Sequence, residues 1–344
     1  MITVQATPEA IVMKKKIKID FVDFWPDLVK EKNYFTDILE KYYDVEISPD
    51  PDYLFCSYFD NRHLAFRSCV KIYFIGENMV PDFNLYDYAM GFHNISFEDR
   101  YLRLPLYALY KEDYELVRNK HTFSDEYYLS KKGFCNCVIS NPYPFADKKR
   151  ERMYKALSGY KTVASGGRWM NNTGGPVKDK IAFEKDYRFT LAFENSSSPG
   201  YTTEKIFEAF AGDTIPIYWG NPGIAREFNP GSFINCHDYP NMSSVVERVR
   251  EIDSNEELFL KMIKTPALKE GSQAAECMTD GYADSFLRNI FDQKKDHAIR
   301  RNMIYVGQKY QDRAVSSGRF QNAMDIINRP VHLIRKSLAQ KKQE

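Results

Sequence analysis

The sequence lacks any excess of charge, any long hydrophobic run and any paired pattern of cysteines, and each absence excludes a class of protein. Its 344 residues include 48 Lys and Arg against 47 Asp and Glu, so the net charge of +1 gives no global field that would indicate nucleic acid as a partner. No apolar run reaches the length of about 20 residues that a membrane-spanning helix needs. The six cysteines are scattered apart from one C-x-C, which predicts neither a zinc ribbon nor a disulfide framework and is typical of a reducing cytoplasm.

The length of the chain favours two domains, although one larger domain stays open. From residue 16 to about 110, short β-like runs alternate with helical patterns. The alternation restarts at 149, after a stretch that carries two prolines and a basic run. Strands that alternate with helices predict the α/β class, with a doubly wound sheet in each half. We therefore predict domains at 1–140 and 141–310, followed by a helical basic tail at 311–344.

The two ends of the chain carry basic residues in different patterns. The lysines at 14–16 follow a short, weakly apolar stretch, which is the reverse of the order in a signal peptide. Near the other end, a helix would place Val331, Ile334 and Leu338 on one face. The opposite face would then carry basic residues, namely Arg335, Lys336, Lys341 and Lys342. This pattern predicts either a helix on an anionic membrane surface or a solvated terminal helix.

The most informative segment runs from Phe189 to Pro222 and has the pattern of strand, polar loop, helix, strand and turn. The loop delivers Tyr201 and Thr203 to the start of the helix. Unpaired amides and the helix dipole attract anions there, and Lys205 adds a positive charge in the first turn. Because open α/β sheets bind ligands at the carboxyl ends of their strands, this pattern predicts a diphosphate site. Glu204 could accept hydrogen bonds from sugar hydroxyls, or it could simply stabilise the helix start.

Three blocks of sequence occur together at spacings that are typical of one enzyme family. They are F-E-N, Y-x-T-E-K and I-P-I-Y-W-G between 193 and 220, GENMVPDFNLYDYAMGF and DRYLRLPLY between 76 and 107, and, more loosely, SNPYPF and RERMYKAL between 140 and 157. Together they resemble the α1,3-fucosyltransferases, and most of all the bacterial branch that includes the Helicobacter Lewis-antigen enzymes. The resemblance covers roughly residues 70–240, but neither terminus nor residues 111–135.

The resemblance implies a GT-B fold, in which two Rossmann-like domains face each other across a cleft. It implies that 141–310 binds GDP-fucose and that 1–140 binds the acceptor. The implied reaction transfers L-fucose with inversion to the 3-hydroxyl of N-acetylglucosamine in a galactose-β1,4-N-acetylglucosamine unit, as in Lewis x-type glycans of a lipopolysaccharide O-antigen. No cofactor is expected, and a divalent metal is at most stimulatory. The expected location is the cytoplasm or the inner face of the cytoplasmic membrane. Strict α1,3 and mixed α1,3/1,4 linkage both stay open.

The family match assigns the general base to Glu77, which follows an apolar strand near residue 74. Without the match, a solvated loop glutamate is the simpler interpretation. Three further residues of the same block could orient this base or the acceptor, or could make only structural hydrogen bonds. They are Asn78, Asp87 and Tyr88.

The same match places Arg150 and Lys205 on the donor phosphates, and the planar fork of donors on a guanidinium suits that role. Asn195 and Tyr201 would complete the phosphate shell, and Glu204 would hold the nucleotide ribose or the fucose. Arg150 stands in a run of basic residues, however, and such a run equally predicts a solvated face.

Other motifs favour structural roles or leave two roles open. The Gly-rich segment 164–175 lacks the spacing of a dinucleotide fingerprint or a Walker loop, so it either supports the nucleotide or forms a plain turn. Asp50 and Asp52 form the D-x-D that holds a divalent ion in another glycosyltransferase fold, but their position between two early strands predicts a turn. The six histidines are dispersed, without paired ligand spacing.

Two other functions stay open at this point. A related GT-B glycosyltransferase could use another nucleotide sugar, because a phosphate site at a helix start does not distinguish the sugar attached. A non-catalytic glycan-binding protein could use the aromatic residues and the basic tail, although the presence of Glu77 and the full Y-x-T-E-K motif argues against it.

Overall fold

The computed structural model describes residues 14–140, 148–320 and 323–324. They form two compact units. The first unit takes the chain up to Phe74, then Pro81–Ala89, and the chain from Ala283 onward; the second takes Ile75–Val80 and Met90–Tyr282. The first unit is therefore built from three separate pieces of sequence.

The helices and strands are named in chain order. The strands are β1 (Lys15–Val22), β2 (Tyr43–Ile47), β3 (Tyr53–Cys56), β4 (Val70–Phe74), β5 (Tyr88–Gly91), β6 (Tyr101–Arg103), β7 (Gly133–Cys137), β8 (Val163–Ser165), β9 (Tyr187–Phe193), β10 (Ile215–Trp219) and β11 (Ile234–Asn235). The helices are α1 (Tyr34–Tyr42), α2 (Tyr114–Asn119), α3 (Asp125–Leu129), α4 (Lys149–Ser158), α5 (Lys180–Glu184), α6 (Glu204–Ala211), α7 (Met242–Asp253), α8 (Glu256–Ile263), α9 (Gln273–Met278), α10 (Asp284–Asp292), α11 (Lys295–Ala298) and α12 (306–320).

The first unit is built on a parallel sheet. Strand β1 pairs in parallel with β2 and β3, and β3 pairs with β4, which gives the order β2-β1-β3-β4. Both β3 and β4 are buried along their whole length, as strands covered on both faces are. The ring of Phe291 on α10 packs 4.3 Å from that of Tyr53, and Asp292 accepts a 2.6 Å hydrogen bond from Tyr43. The chain after 283 thus covers the first sheet, whereas the sequence placed it in the second domain.

The second unit contains a parallel sheet with the strand order β11-β10-β9-β7-β8. The chain moves from β7 to β8 in one direction and from β9 through β10 to β11 in the other. The order therefore reverses between β7 and β9, and such a switch point is where open α/β sheets bind ligands. Strand β7 ends before residue 140, so the second sheet begins ahead of the predicted boundary. The α/β class itself is confirmed by the two parallel sheets.

Several predicted elements differ from the structure at their ends. The amphipathic pattern after Pro26 predicts a helix to about Tyr43, but α1 begins only at Tyr34, because the Asn33 side chain caps the amides of Phe35 and Thr36. The pattern from Ser243 to about Ile263 predicts one helical segment, but the structure has two helices there, since Asn255 caps a new start at α8. The polar and charged stretch 111–135 contains α2, α3 and part of β7.

The predicted tail lies mostly outside the described residues, including every residue of the proposed amphipathic face at 331–342. Of the tail, only residues 311–320, which belong to α12, and residues 323–324 are described. Among the described residues, no helix is both long enough and apolar enough to cross a bilayer.

Candidate functional site

The start of α6 is where the sequence predicts an anion site. Thr203 is the N-cap and its hydroxyl accepts from the amide of Lys205. Glu194, the first residue after β9, holds Thr203 in turn: its carboxylate accepts from the Thr203 amide at 2.8 Å and from the Thr203 hydroxyl at 2.7 Å. Both residues are almost fully buried. The fold therefore fixes this helix start against the carboxyl end of its own strand.

Opposite charges meet in the first turn of α6. The ammonium of Lys205 lies 3.3 Å from a carboxylate oxygen of Glu194 and 3.3 Å from one of Glu204. Burial raises the pKa of Glu194. Burial also opposes ionisation of Glu204, but attraction to Lys205 and Lys180 outweighs it and holds the pKa of Glu204 below its ordinary value. Burial would lower the pKa of Lys205, yet the two carboxylates raise it, so Lys205 stays a cation.

Arg150 is a buried cation on the second residue of α4, only 6% exposed. Its guanidinium donates to the carbonyl of Phe193 at 3.0 Å and to the side-chain oxygen of Asn195 at 2.7 Å. Within the described residues it forms no ion pair with a carboxylate, and its buried Nε has no hydrogen-bond partner. Burial lowers the pKa of Arg150 from its ordinary value. The Glu194 carboxylate acts on this guanidinium electrostatically without an ion pair to it, and a phosphate would supply both a paired charge and an acceptor.

The neighbours of Arg150 in the basic run behave differently. Lys148, Lys149 and Arg152 are exposed. The solvated face that the sequence offered as the alternative therefore exists, but Arg150 is not part of it.

Glu77 comes close to the same site. The residue is half-buried, and one of its carboxylate oxygens lies 3.3 Å from the hydroxyl of Tyr201, which donates to it. Tyr201 is 1% exposed and packs edge-on against Phe92 with ring centroids 5.0 Å apart. Burial, helped by Glu194 and Glu77, raises the pKa of Tyr201 far above its ordinary value, so the phenol keeps its proton. The sequence expected Tyr201 in the phosphate shell and did not foresee its contact with Glu77.

Asn78 fastens the segment that carries Glu77. Its amide donates to Ser196 at 2.7 Å, and its carbonyl oxygen accepts from Ser198 at 2.5 Å. The amide of Met79 also donates to the carbonyl of Glu77 at 2.7 Å. Side chains therefore connect the segment of the candidate base to the loop ahead of α6, and the orienting role of Asn78 stays a prediction.

Asp87 and Tyr88 lie in a different environment, inside the first unit. The carboxylate of Asp87 is fully buried, accepts from the amides of Lys71, Arg300 and Arg301, and forms an ion pair with the Arg301 side chain. Tyr88 is also fully buried and packs edge-on against Phe286. The sequence analysis gave structural hydrogen bonds as the alternative to an orienting role. The contacts of Asp87 and Tyr88 in the structure are of this structural kind.

A buried polar network that the sequence did not reveal holds the loop before α6. Its centre is Glu227, whose side chain is fully buried and whose pKa is raised by burial. Four side chains donate to its carboxylate: Arg103, Tyr107, Thr202 and Asn221. Arg103 and Tyr107 belong to the DRYLRLPLY block, but no local pattern identifies Glu227 as their partner. Gly200 completes the loop at φ +90°, with the carbonyl of Phe92 only 2.4 Å from where a Cβ would stand.

The Gly-rich segment 164–175 is explained by its own packing. A Cβ on Gly167 would lie 2.0 Å from the carbonyl of Ile139, so this glycine allows two backbones to meet. The side-chain amide of Asn171 donates to three backbone carbonyls of the loop, those of Ser165, Gly167 and Gly175. These contacts account for a plain turn, and a role near a nucleotide stays a prediction.

The structure also shows what surrounds the D-x-D motif. Asp52 pairs with Lys295 at 2.6 Å, and the amide of Asp50 donates to the hydroxyl of Ser48. In the part of the chain that the structure describes, no three His, Cys, Asp or Glu side chains come together as metal ligands would.

Comparisons with known proteins identify the family. Residues 19–110 match the model of the α-(1,3)-fucosyltransferase FucT N-terminal domain, and residues 128–265 match that of the glycosyltransferase family 10 (fucosyltransferase) C-terminal region. The chain is 35% identical over 288 residues to the α-(1,3)-fucosyltransferase FucT of Helicobacter pylori, covering 72% of this chain and 59% of that protein. It is 27% identical over 189 residues to the α-(1,3)-fucosyltransferase B of Drosophila melanogaster, covering 50% of this chain and 43% of that one.

Solved structures agree with the family models. A crystal structure of an α1,3-fucosyltransferase matches with a TM-score of 0.74 and 27% identity over 88% of this chain and 96% of that one. A crystal structure of an α1,3-fucosyltransferase with GDP-fucose matches with a TM-score of 0.70 and 27% identity over 87% and 96%. These matches confirm the predicted GT-B class. The chain spans about 59% of the length of its Helicobacter pylori relative. The two fucosyltransferase models together match residues 19–110 and 128–265, and the chain therefore belongs to glycosyltransferase family 10, the fucosyltransferases.

Proposed function

We propose that the protein is an inverting α1,3-fucosyltransferase that moves L-fucose from GDP-fucose to the 3-hydroxyl of N-acetylglucosamine in a galactose-β1,4-N-acetylglucosamine acceptor. The observation that carries the proposal is Arg150, a buried cation that has no carboxylate partner among the described residues and lies beside the start of α6 in a family 10 chain. A diphosphate would form the ion pair that Arg150 lacks. One relative was crystallised with GDP-fucose, which supports this choice of donor.

The leaving group is stabilised by fixed positive charge. Arg150 and Lys205 face the diphosphate beside the start of α6, whose dipole adds to their positive charge, and both side chains are held in place before the donor arrives. Asn195 orients Arg150, because its side-chain oxygen accepts from the guanidinium. Glu204 stays ionised in the same turn and accepts hydrogen bonds from hydroxyls of the ribose or the fucose. The proposal needs no bound metal, since these groups supply the charge.

Glu77 acts as the general base. Its carboxylate takes the proton of the acceptor 3-hydroxyl while that oxygen forms a bond to the anomeric carbon of fucose. The bond from this carbon to the diphosphate breaks, and GDP departs with the electron pair. Attack on one face and departure from the other invert the configuration. Tyr201 donates to Glu77 and so holds it in position, and Asn78 fixes the segment that carries it.

The acceptor and the cellular setting extend the same proposal. A galactose-β1,4-N-acetylglucosamine unit at the end of a lipopolysaccharide O-antigen would become a Lewis x-type antigen. The basic tail beyond residue 330 would bring the enzyme to the anionic inner face of the cytoplasmic membrane, where such glycans are built. The sequence pattern of the tail supports this part.

The test is a transfer assay with two acceptors. The purified protein is incubated with GDP-fucose and N-acetyllactosamine, and in parallel with lacto-N-biose, and product mass and linkage are read. Fucose on the 3-hydroxyl of N-acetylglucosamine in the first acceptor is the expected result, and product from the second would show that the enzyme also makes the α1,4 linkage. If only another GDP-sugar or a UDP-sugar is consumed, the donor assignment is wrong. If no donor is consumed although GDP binds, the donor site stands and the assignment of the acceptor or of the sugar is wrong.

A further inference from the structure

Lys180 is a cation that the mechanism proposed above does not use, although it lies beside the helix that carries Glu204. It is the first residue of α5, and its side chain is 25% exposed. Its ammonium forms an ion pair with Glu208 on α6 and lies 3.8 Å from a carboxylate oxygen of Glu184 on α5. The charge of Lys180 therefore joins α5 to α6.

The ion pair with Glu208 brings Lys180 to the face of α6 that also carries Glu204. Glu204 and Glu208 are four residues apart, and side chains at this spacing are neighbours on a helix. Two carboxylates so placed repel each other unless a cation lies between or beside them. In the described part of the chain, the ion pair of Glu204 is with Lys205, whose ammonium also lies 3.3 Å from Glu194. Lys205 therefore divides its charge between two carboxylates.

Lys180 adds to the positive charge around Glu204 without an ion pair to it. Burial opposes ionisation of Glu204, and attraction to Lys205 and then to Lys180 holds the pKa of Glu204 below its ordinary value. In the proposed mechanism Lys205 also faces the diphosphate, so its charge is divided further once the donor is bound. The ion pairs of Lys180 go to carboxylates only, so its charge stays with them.

The third carboxyl beside Lys180, that of Glu184, does not compete for this charge below neutral pH. Glu184 is fully buried, and neither of its carboxyl oxygens has a hydrogen-bond partner within the described residues. Burial raises the pKa of Glu184 to about 7; Lys180 opposes this shift, while Glu208 and Asp113 add to it. Above this pH, Glu184 would place a further negative charge beside Lys180.

The charged and titratable groups around Lys180 and Glu184 come from three pieces of chain. Besides these two residues of α5, they are Glu204, Lys205 and Glu208 on α6, and Tyr110 and Asp113 ahead of α2. Burial opposes the charge of Lys180, but the carboxylates outweigh it and raise the pKa of Lys180, so Lys180 stays a cation.

We infer that Lys180 is a positioning residue for the donor: paired with Glu208, it keeps the Glu204 carboxylate charged and in place for donor hydroxyls, while a neutral Glu184 leaves it free to do so. The inference rests on the proposed function, because the role of Glu204 toward the ribose or the fucose belongs to that proposal. It assigns an effect on donor affinity to a side chain that acts only through Glu204.

The test measures the Kd for GDP-fucose by isothermal titration without an acceptor, at several pH values from 5 to 8. GDP-fucose is the probe because its diphosphate is esterified at both ends, whereas the terminal phosphate of GDP would itself titrate near pH 6. Lys180→Met removes the charge, and Lys180→Arg keeps it. Lys178→Met is the matched control, since Lys178 is exposed and lies two residues earlier.

At pH 7 we expect Lys180→Met to raise the Kd about tenfold, as the loss of one hydrogen bond to a charged group would. Lys180→Arg and Lys178→Met should stay within about threefold of the parent. The Kd of Lys180→Met should rise further as the pH falls toward 5, because Glu204 then takes up a proton that Lys180 otherwise keeps away. A residue that only supported the fold would not shift this pH profile.

The role of Glu184 gives a second readout. The Kd of the parent should rise about two- to threefold between pH 6 and 8 as Glu184 ionises. Glu184→Gln stays neutral and should abolish this rise. If Lys180→Met does not fold, Glu184→Gln decides the question, and a pH profile parallel to that of the parent counts against the inference.

The inference is overturned if the parent binds GDP-fucose and Lys180→Met binds it equally well with the same pH profile. It is also overturned if Lys178→Met weakens binding as much, or if Lys180→Arg shows the pH profile of Lys180→Met. A parent that does not bind GDP-fucose at all would refute the proposed donor and the inference with it, so the two failures are distinguishable.

Discussion

Replacing Arg150 by methionine should weaken GDP binding strongly and leave the fold nearly intact. The change removes the cation but keeps most of the side-chain volume. A hydrogen bond to a charged group contributes about 1.5–3 kcal/mol, so the loss of the contact between guanidinium and phosphate should raise the Kd for GDP about 10- to 150-fold. The unliganded protein loses two hydrogen bonds, to Phe193 and Asn195, but it also loses the cost of burying a cation that has no ion pair. We therefore expect the free energy of unfolding to change by no more than about 1 kcal/mol.

The control for this prediction is Arg152→Ala, two residues along the same helix. Arg152 is exposed, so its loss should leave GDP affinity within about twofold of the parent. Isothermal titration with GDP measures both variants, and urea unfolding measures their stability. The assignment of Arg150 to the phosphate is refuted if its variant binds GDP like the parent. It is equally refuted if Arg152→Ala weakens GDP binding as much, because the basic residues at 148–152 would then attract GDP only through their combined charge.

Three other predictions concern the loop, a buried carboxyl and the tail. Gly200→Ala should lower the free energy of unfolding by about 2 kcal/mol or more, since φ is +90° and the new Cβ would clash with the carbonyl of Phe92. The control Gly174→Ala, at φ +83° with open space around it, should lower it by only about 1 kcal/mol. Equal losses for the two variants in urea unfolding would contradict this prediction. Burial raises the pKa of Glu184 to about 7 from an ordinary 4.5, so the folded protein keeps a proton that the unfolded chain releases, and stability is lost as the pH rises from about 4.5 through about 7. Relative to Glu184→Gln, the parent should therefore lose up to about 3 kcal/mol between pH 5 and 8 in unfolding experiments, and parallel pH curves would show that Glu184 ionises normally. Deleting residues 330–344 should reduce co-sedimentation with vesicles that contain anionic lipid, and unchanged sedimentation would dismiss the membrane role of the tail.

The parts of the site that the sequence predicted well depend on local signals. The apolar pattern at 187–195 predicts β9 to within two residues, the cap at Thr203 predicts the start of α6 to within one, and the helical pattern at 149–158 gives α4 with its bounds. Glu77 follows a strand that is apolar along most of its length, so its place at a strand end was also readable. In each case neighbouring residues decide the structure, and periodicity and capping describe such local choices.

The parts that the sequence did not predict depend on contacts between distant segments. Asp87 is bound by Arg301, which lies 214 residues further along the chain, and Glu227 is bound by Arg103, which precedes it by 124. The return of the chain to the first sheet after Ala283 likewise has no local mark, because a helix carries no signal of the sheet that it covers. The burial of Arg150 belongs to the same group, since only the folded chain separates it from its exposed neighbours.

The measurement that tests the central claim most directly is the turnover number of Glu77→Gln with GDP-fucose and N-acetyllactosamine, alongside its affinity for GDP. The amide keeps the size of the carboxylate and can still meet Tyr201, but it cannot take a proton from the acceptor. General base catalysis contributes about 100- to 10,000-fold, so we predict a fall in kcat of at least about 100-fold with the Kd for GDP within about twofold of the parent. A variant that turns over at nearly the parent rate would contradict the account, since Glu77 would then not be the base.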